Sequence, residues 1–281
     1  MKTYIKFLCL FVCIVFTSCE DVIDVNLSEG KTRLVIEASL DWEKGTSGNQ
    51  QLIKLSTSSP YFQTNENNEV TGASVKVTNN NTGAEYIFTD ENDGTYTISN
   101  FAPIIGHTYT LEVVHNGETY IGNETLMSVP SITNVTQSVE GGFDDELLQV
   151  NFNYNDPPEE ENFYLTKFME EGDLFPVLED LSDEFVNGNE IDDFWEKEDD
   201  EDANEIPFES GDKVSISLYA ISKRYYNYIR LLIEQYDSGG NPFSSTATQI
   251  KGNCVNTTNP ENYPYGYFRV TQVVKVDYTF Q

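Results

Sequence analysis

The strongest constraint on this chain is a succession of short segments whose apolar residues recur at every second position and which are cut by turn-forming residues. Ala73, Val75 and Val77 alternate with polar neighbours before Asn79-Asn80-Asn81-Thr82-Gly83. Tyr86 and Phe88 precede Asn92-Asp93-Gly94, which leads into Tyr96 and Ile98. Tyr109, Leu111 and Val113 run into His115-Asn116-Gly117 and then Tyr120. Period two puts alternate side chains on one face of a strand, and Asn-Gly or Asp-Gly supplies the positive φ values of a tight hairpin. Leu34-Val35-Ile36 and the stretch from Leu52 to Ser56 add strands upstream. Residues 31–129 are therefore expected to form an immunoglobulin- or fibronectin-like β-sandwich.

Val129-Pro130-Ser131 reads as a joint, and a length of 281 residues leaves room for a second domain over 130–281. Its strands are expected at 132–139, 148–154, 163–168, 214–221 and 267–278. In the third of these, Phe163, Leu165 and Lys167 share one face while Tyr164, Thr166 and Phe168 share the other. In the last, Tyr267, Arg269, Thr271 and Val273 oppose Phe268, Val270, Gln272 and Val274. One segment departs from period two. Tyr225, Tyr228, Ile229, Leu232 and Tyr236 follow a helical stripe, stopped by Gly239-Gly240 and Pro242. Lys223 and Arg224 at its start and Glu234 and Asp237 at its end oppose the helix dipole. Packing of the aromatic face must hold that helix. The fold class expected is mainly β: two sandwich domains, the second with one helix.

Charge narrows the partners. The 47 acids against 16 bases give a net charge of −31, which excludes binding to nucleic acid and electrostatic docking on anionic lipid. Residues 140 to 212 hold 27 of those acids, with Lys167 and Lys197 as the only bases. Like charges at that density repel, so 170–212 is expected to be a solvated acidic insertion in the second domain. Asp192, Asp193, Asp199, Asp200 and Asp202 make it a candidate for weak divalent-cation (calcium) binding. Phe185, Phe194 and Trp195 are unusual for a purely solvating loop and favour a docking role.

Catalytic templates fail. The 2 histidines, His107 and His115, flank hairpin turns without a carboxylate at metal-ligand spacing. No G-x-S-x-G elbow and no phosphate-cradling Gly-Lys-Ser/Thr loop occurs. Ser210-Gly211-Asp212-Lys213 fits S-x-x-K by letter alone, and Asp90-Glu91-Asn92-Asp93-Gly94 lacks the spacing of a calcium loop. The chain is expected to be no enzyme and to need no metal or other cofactor beyond that weak calcium. Tyr61, Phe62, Tyr263, Tyr265 and Tyr267 could stack on a ligand, but packing accounts for them more cheaply.

The N-terminus reads as an address. Lys2 and Lys6 precede ten apolar residues from Phe7 to Phe16, too few to span a bilayer, which needs about 20 in a helix. Small Thr17 and Ser18 come next, then Cys19. Residues 1–18 are thus a secretory signal peptide, and the ending resembles a bacterial lipobox, in which the cysteine is acylated and becomes the first mature residue. Residues 19–30 form a lipidated tether. Of the 4 cysteines, Cys9 and Cys13 lie in the signal, which leaves Cys254 unpaired and best read as a small buried hydrophobe. Glu20, Asp21 and Asp24 resemble the acidic signal that sends lipoproteins of Bacteroidota to the outer face of the outer membrane.

Cys19-Glu20-Asp21-Val22-Ile23-Asp24-Val25 followed by Arg33-Leu34-Val35-Ile36-Glu37 resembles the opening of the domain of unknown function 4249 (DUF4249) family of Bacteroidota outer-membrane lipoproteins. Ser58-Ser59-Pro60-Tyr61-Phe62, Val70-Thr71-Gly72-Ala73-Ser74-Val75, Gly94-Thr95-Tyr96 and Gly106-His107-Thr108-Tyr109 extend the likeness. So do Asp183-Glu184-Phe185-Val186-Asn187-Gly188, Ile250-Lys251-Gly252-Asn253 and Gly266-Tyr267-Phe268. The resemblance implies a lipid-anchored outer-membrane protein on the surface or the periplasmic side, and the acids after Cys19 favour the cell surface. It also implies a TonB-dependent receptor barrel as partner and no catalytic residue. The expected function is a non-enzymatic capture or gating subunit of TonB-dependent transport. The rival is a surface adhesin or a matrix- or glycan-binding module.

Overall fold

The alternating segments are strands, and the Asn-Gly turns work as the backbone requires. Asn116 and Gly117 both have positive φ, 51° and 78°, and join two strands whose last pair is His115 with Glu118. The computed structural model describes residues 30–59, 68–158, 160–198, 206–238 and 249–281. Contacts divide the chain into Met1–Lys31 and Thr32–Gln281, and every described strand lies in the second unit. Its first seven strands are β1 (Leu34–Glu43), β2 (Gln51–Thr57), β3 (Ser74–Asn79), β4 (Glu85–Asp90), β5 (Thr95–Ile98), β6 (Thr108–His115) and β7 (Glu118–Thr125). Next come β8 (Ile132–Ser138), β9 (Gln149–Asn155), β10 (Phe163–Glu170), β11 (Val177–Ser182), β12 (Glu190–Glu196) and β13 (Lys213–Ile221). Helix α1 (Lys223–Asp237), β14 (Val255–Asn256) and β15 (Tyr265–Thr279) complete the order. The fold is mainly β with one helix among the described residues. No helix among them is long and apolar enough to cross a membrane.

Twelve strands form one curled sheet in the order β11-β10-β13-β15-β1-β2-β5-β4-β3-β6-β7-β14, and β12-β9-β8 form a second. The long strand β15 joins the parts. It runs parallel to β1, Val35 opposite Tyr265 through Glu43 opposite Val273, and antiparallel to β13 on its other side. Its side chains serve three hydrophobic clusters. Phe268 and Val270 join Ile36, Leu40, Ile53, Tyr96, Tyr109 and Leu111 in the first, and Val274 and Tyr278 pack on the second. That second cluster lies between β10 and β13 (Tyr164, Phe168, Ile216, Leu218) and the small sheet (Phe152, Tyr154, Trp195). From the opposite face of β15, Tyr267 and Val273 join Phe163, Leu165 and Tyr219 beneath the helix. The division of β10 into two faces follows the expected alternation.

The helix is held as anticipated, with one addition. Tyr225 and Ile229 are buried and Tyr228 and Leu232 half-buried against the sheet, whereas Tyr236 points to solvent, 86% exposed, one turn past the sheet contact. Ser222 caps the N-terminus, its Oγ accepting from Tyr225 N at 3.1 Å, and Lys223 is neutralised by Glu161 at 2.9 Å.

The acidic segment 170–212 corrects the expectation of a solvated insertion. It contains β11 and β12, and β12 buries Ile191 and Trp195 while Glu190 and Asp192 face outward. Alternation lets a strand carry acids on its wet side and core residues on its dry one. Cys254 matches its expectation: it is buried, and desolvation pushes its thiol up to about 12.

Phe268 is fully buried above Gly122, where an added Cβ would come within 3.1 Å of its own Cβ. Phe268→Ala is expected to lower the unfolding free energy by about 3–5 kcal/mol in urea titrations. Phe185→Ala, at a position 88% exposed, should change it by under ~0.5 kcal/mol.

Candidate functional site

The cavity that stands out is a groove of about 500 Å³ between the edge of the large sheet and the helix. Asp180, Leu181 and Ser182 of β11, Glu184 and Phe185 of the following loop, and Tyr226, Arg230, Ile233 and Glu234 of α1 line it. Three local arrangements hold these walls. β11 pairs antiparallel with β10 along its whole length, Phe163 opposite Ser182 through Phe168 opposite Val177. Tyr226 packs on Phe163 with ring centroids 4.9 Å apart, which presses the helix onto the edge of the sheet. Buried Asp183 accepts from Asn162 N at 2.8 Å, and its own N–H donates to Asn162 O at 3.1 Å. Those bonds fix the start of the loop, and Phe185 projects beyond it.

Charged, hydroxyl and apolar side chains together line the groove. Arg230 donates to Glu234 at 3.1 Å and to the Tyr226 hydroxyl at 3.3 Å, so its charge is already engaged. Burial pushes the Asp180 carboxyl above the usual carboxylate range, with the Arg230 charge and the Tyr226 hydroxyl opposing it. Asp180, Glu184 and Glu234 against Arg230 leave the lining net acidic. The arrangement suits contact with a chain or ligand of opposite charge.

The residues singled out from the sequence are dispersed. Cys19, Glu20, Asp21 and Asp24 lie outside the described residues, as do Asp199, Asp200, Asp202, Tyr61 and Phe62. Asp192 and Asp193 are neighbours on β12 and so point to opposite faces. Asp192 is exposed and accepts from Asn153 Nδ2. Asp193 turns inward, where its Oδ1 accepts from Phe194 N at 3.0 Å and where Thr166 of β10 and Glu179 of β11 lie near it. No group of three or more metal-ligating side chains converges among the described residues. Phe194 stacks near Phe143, with centroids 5.4 Å apart, and Trp195 is core. The Tyr263 ring is sandwiched between Arg33 at 3.6 Å and Lys251 at 3.9 Å, and Tyr267 is buried under the helix. Sequence reasoning flagged Phe185 but missed the groove, because 180–185 and 226–234 meet only through the order of strands.

A family model described as "Domain of unknown function (DUF4249)" matches residues 20–276. No curated protein matches the chain. Among solved structures, a DUF4785 family protein from Legionella pneumophila is similar at 11% identity and a TM-score of 0.25, over 68% of this chain and 53% of that one. The chain thus spans about half the length of that protein, and a likeness this slight carries no argument.

Half-buried Asp193 and its neighbour Glu179 at the sheet edge make stability depend on pH. Burial, opposed by the Phe194 N–H and the Thr166 hydroxyl, pushes Asp193 up to about 6. Burial and the charges of Asp193 and Asp180 push Glu179 up to about 7, an effect that solvent at the sheet edge weakens. Both values exceed those of the unfolded chain, so the native state holds these protons longer, and their stabilisation is full below about pH 4 and lost as pH rises through 6 to 7. Thermal melts between pH 4.5 and 8 should therefore show a falling midpoint. Asp193→Asn combined with Glu179→Gln should flatten that decline by several degrees, while Asp192→Asn, on the wet face, should leave it in place.

Proposed function

We propose, from the premise that this chain belongs to the DUF4249 family, that it is a lipoprotein anchored in the outer membrane through Cys19 and facing the cell surface. Its folded body acts there as a non-enzymatic capture or gating subunit beside a TonB-dependent receptor barrel. The observation that carries this reading is the order of Lys2 and Lys6, the apolar run to Phe16, Cys19, and the acids Glu20, Asp21 and Asp24, with β1 starting only at Leu34. Amide- and thioether-linked acyl chains together would hold such a body firmly, since stable anchoring takes more than one chain. The body then needs a recognition surface rather than a catalytic centre, and the groove between β11 and α1 offers one. Its dispersed acids do not call for a cofactor.

The finer architecture belongs to the same reading. We read the two clusters on either side of the Leu126–Val129 step as the cores of two immunoglobulin-like sandwiches that share β15. The shared strand would make them a rigid pair, suited to transmitting a contact at one end to a barrel at the other.

Metabolic labelling with a radioactive fatty acid should mark the protein in membranes, and Cys19→Ala should abolish both the label and membrane retention. Gentle detergent extraction should bring down an outer-membrane barrel with the wild-type protein. Wild-type protein recovered unlabelled in the soluble fraction, or repeatedly alone, would count against the proposal.

A further inference from the structure

The edge of the large sheet beside the groove carries a second inference, which holds whether or not Cys19 bears lipid. β11 ends the sheet: it pairs with β10, and no described strand pairs with its other side. An open edge presents a row of backbone N–H and C=O groups ready to pair with another extended chain. Exposed large apolar residues bracket this one. Leu174 and Phe175, 86% and 81% exposed, lead into it, Val177 begins it, and Phe185 follows it. Apolar groups left in water at both ends of an open strand mark a contact surface rather than a protected edge.

Charge selects the occupant. Glu179 and Asp180 are neighbours in the middle of β11 and so point to opposite faces: Asp180 lies on the helix side with Glu184 and Glu234, where Arg230 is already paired to Glu234, and Glu179 lies on the side of Asp193. A second copy pairing edge to edge would set these acids against their own duplicates, and like charges opposite one another destabilise a strand pair. At a net charge of −31, two copies also repel as whole bodies. We propose that β11 accepts an extended segment of a partner protein by strand addition. That segment carries lysine or arginine against Glu179 and Asp180, and an apolar side chain that enters the groove over Ile233 and Phe185. Backbone pairing would give the affinity, and the acids and groove the choice of sequence, which is the usual division of labour in recognition by an added strand.

A synthetic eight-residue peptide of lysine pairs alternating with valine-phenylalanine pairs, which puts both lysine and an apolar side chain on each face of the added strand, is the probe, titrated against the full chain in detergent by fluorescence anisotropy. Two control peptides accompany it, one with glutamate for every lysine and one N-methylated at alternate amides. The lysine peptide should bind saturably and protect the amides of 177–182 from hydrogen exchange, and both controls should bind at least tenfold more weakly. Asp180→Lys with Glu184→Lys should weaken the lysine peptide tenfold or more and improve the glutamate peptide. Circular dichroism and melting would show that this variant is folded, and Asp192→Lys, on β12, should leave binding unchanged. The proposal is overturned if the lysine peptide fails to bind, if N-methylation makes no difference, if the two charge reversals have no effect, or if the chain self-associates through this strand.

Discussion

The parallel pairing of β15 with β1 is the constraint from which the rest of the fold follows. These strands lie some 230 residues apart in the chain, yet they pair from Val35 with Tyr265 to Glu43 with Val273. A buried charge locks the register. Arg269 is almost wholly buried, donates twice to Asp41 at 2.7 and 2.9 Å and once to the Tyr225 hydroxyl at 3.2 Å, and lies between the rings of Tyr219 and Tyr225. Slippage by one residue would strand the guanidinium away from its carboxylate in a dry site, at a cost of several kcal/mol. With β15 fixed, β13 and β10 add on one side and β2 and β5 on the other, and the helix has a floor to rest on.

Much of this was legible locally and some was not. Period two located the strands from Ala73 to Tyr120, and the helical stripe located α1, because both patterns lie within single segments. The β1–β15 pairing has no local signal, and neither does the groove, whose two walls meet only once β10, β11 and α1 are in place. Acidity concealed β11 and β12, since counting charges along 170–212 hides the alternation that buries Ile191 and Trp195. The same alternation separates Asp192 from Asp193, which a count of neighbouring acids treats as equivalent. Tyr236 fits the helical stripe but lies beyond the reach of the sheet, so its exposure is a matter of where the support ends.

Several of the scarce basic residues lie over aromatic rings. Arg33 and Lys251 clasp Tyr263, Lys197 and Lys223 lie over Phe208 and Phe163, and Lys167 and Arg269 both lie over Tyr219. Lys167 is desolvated enough for its amine to fall to about 8, with the Arg269 charge adding to the effect of burial. These cations help fix the architecture, while the chain as a whole stays strongly negative. Single acids are satisfied where they are needed: Glu118 accepts from Tyr120, Asn256, Asn259 and Asn262, which ties the 256–262 loop to β7. Such a surface discourages contact with polyanions and leaves cationic partners the natural ones.

The position of β15 in chain order has a consequence for biogenesis. It follows every other described strand in chain order, and it inserts between two strands that would otherwise each present a bare flank. A nascent chain that has emerged only as far as α1 has its first and thirteenth strands waiting for a neighbour not yet translated, so the large sheet cannot close until β15 has emerged. Contacts this distant in sequence also slow closure once the chain is whole. Delayed closure leaves the facing flanks of β1 and β13 open for as long as β15 is missing.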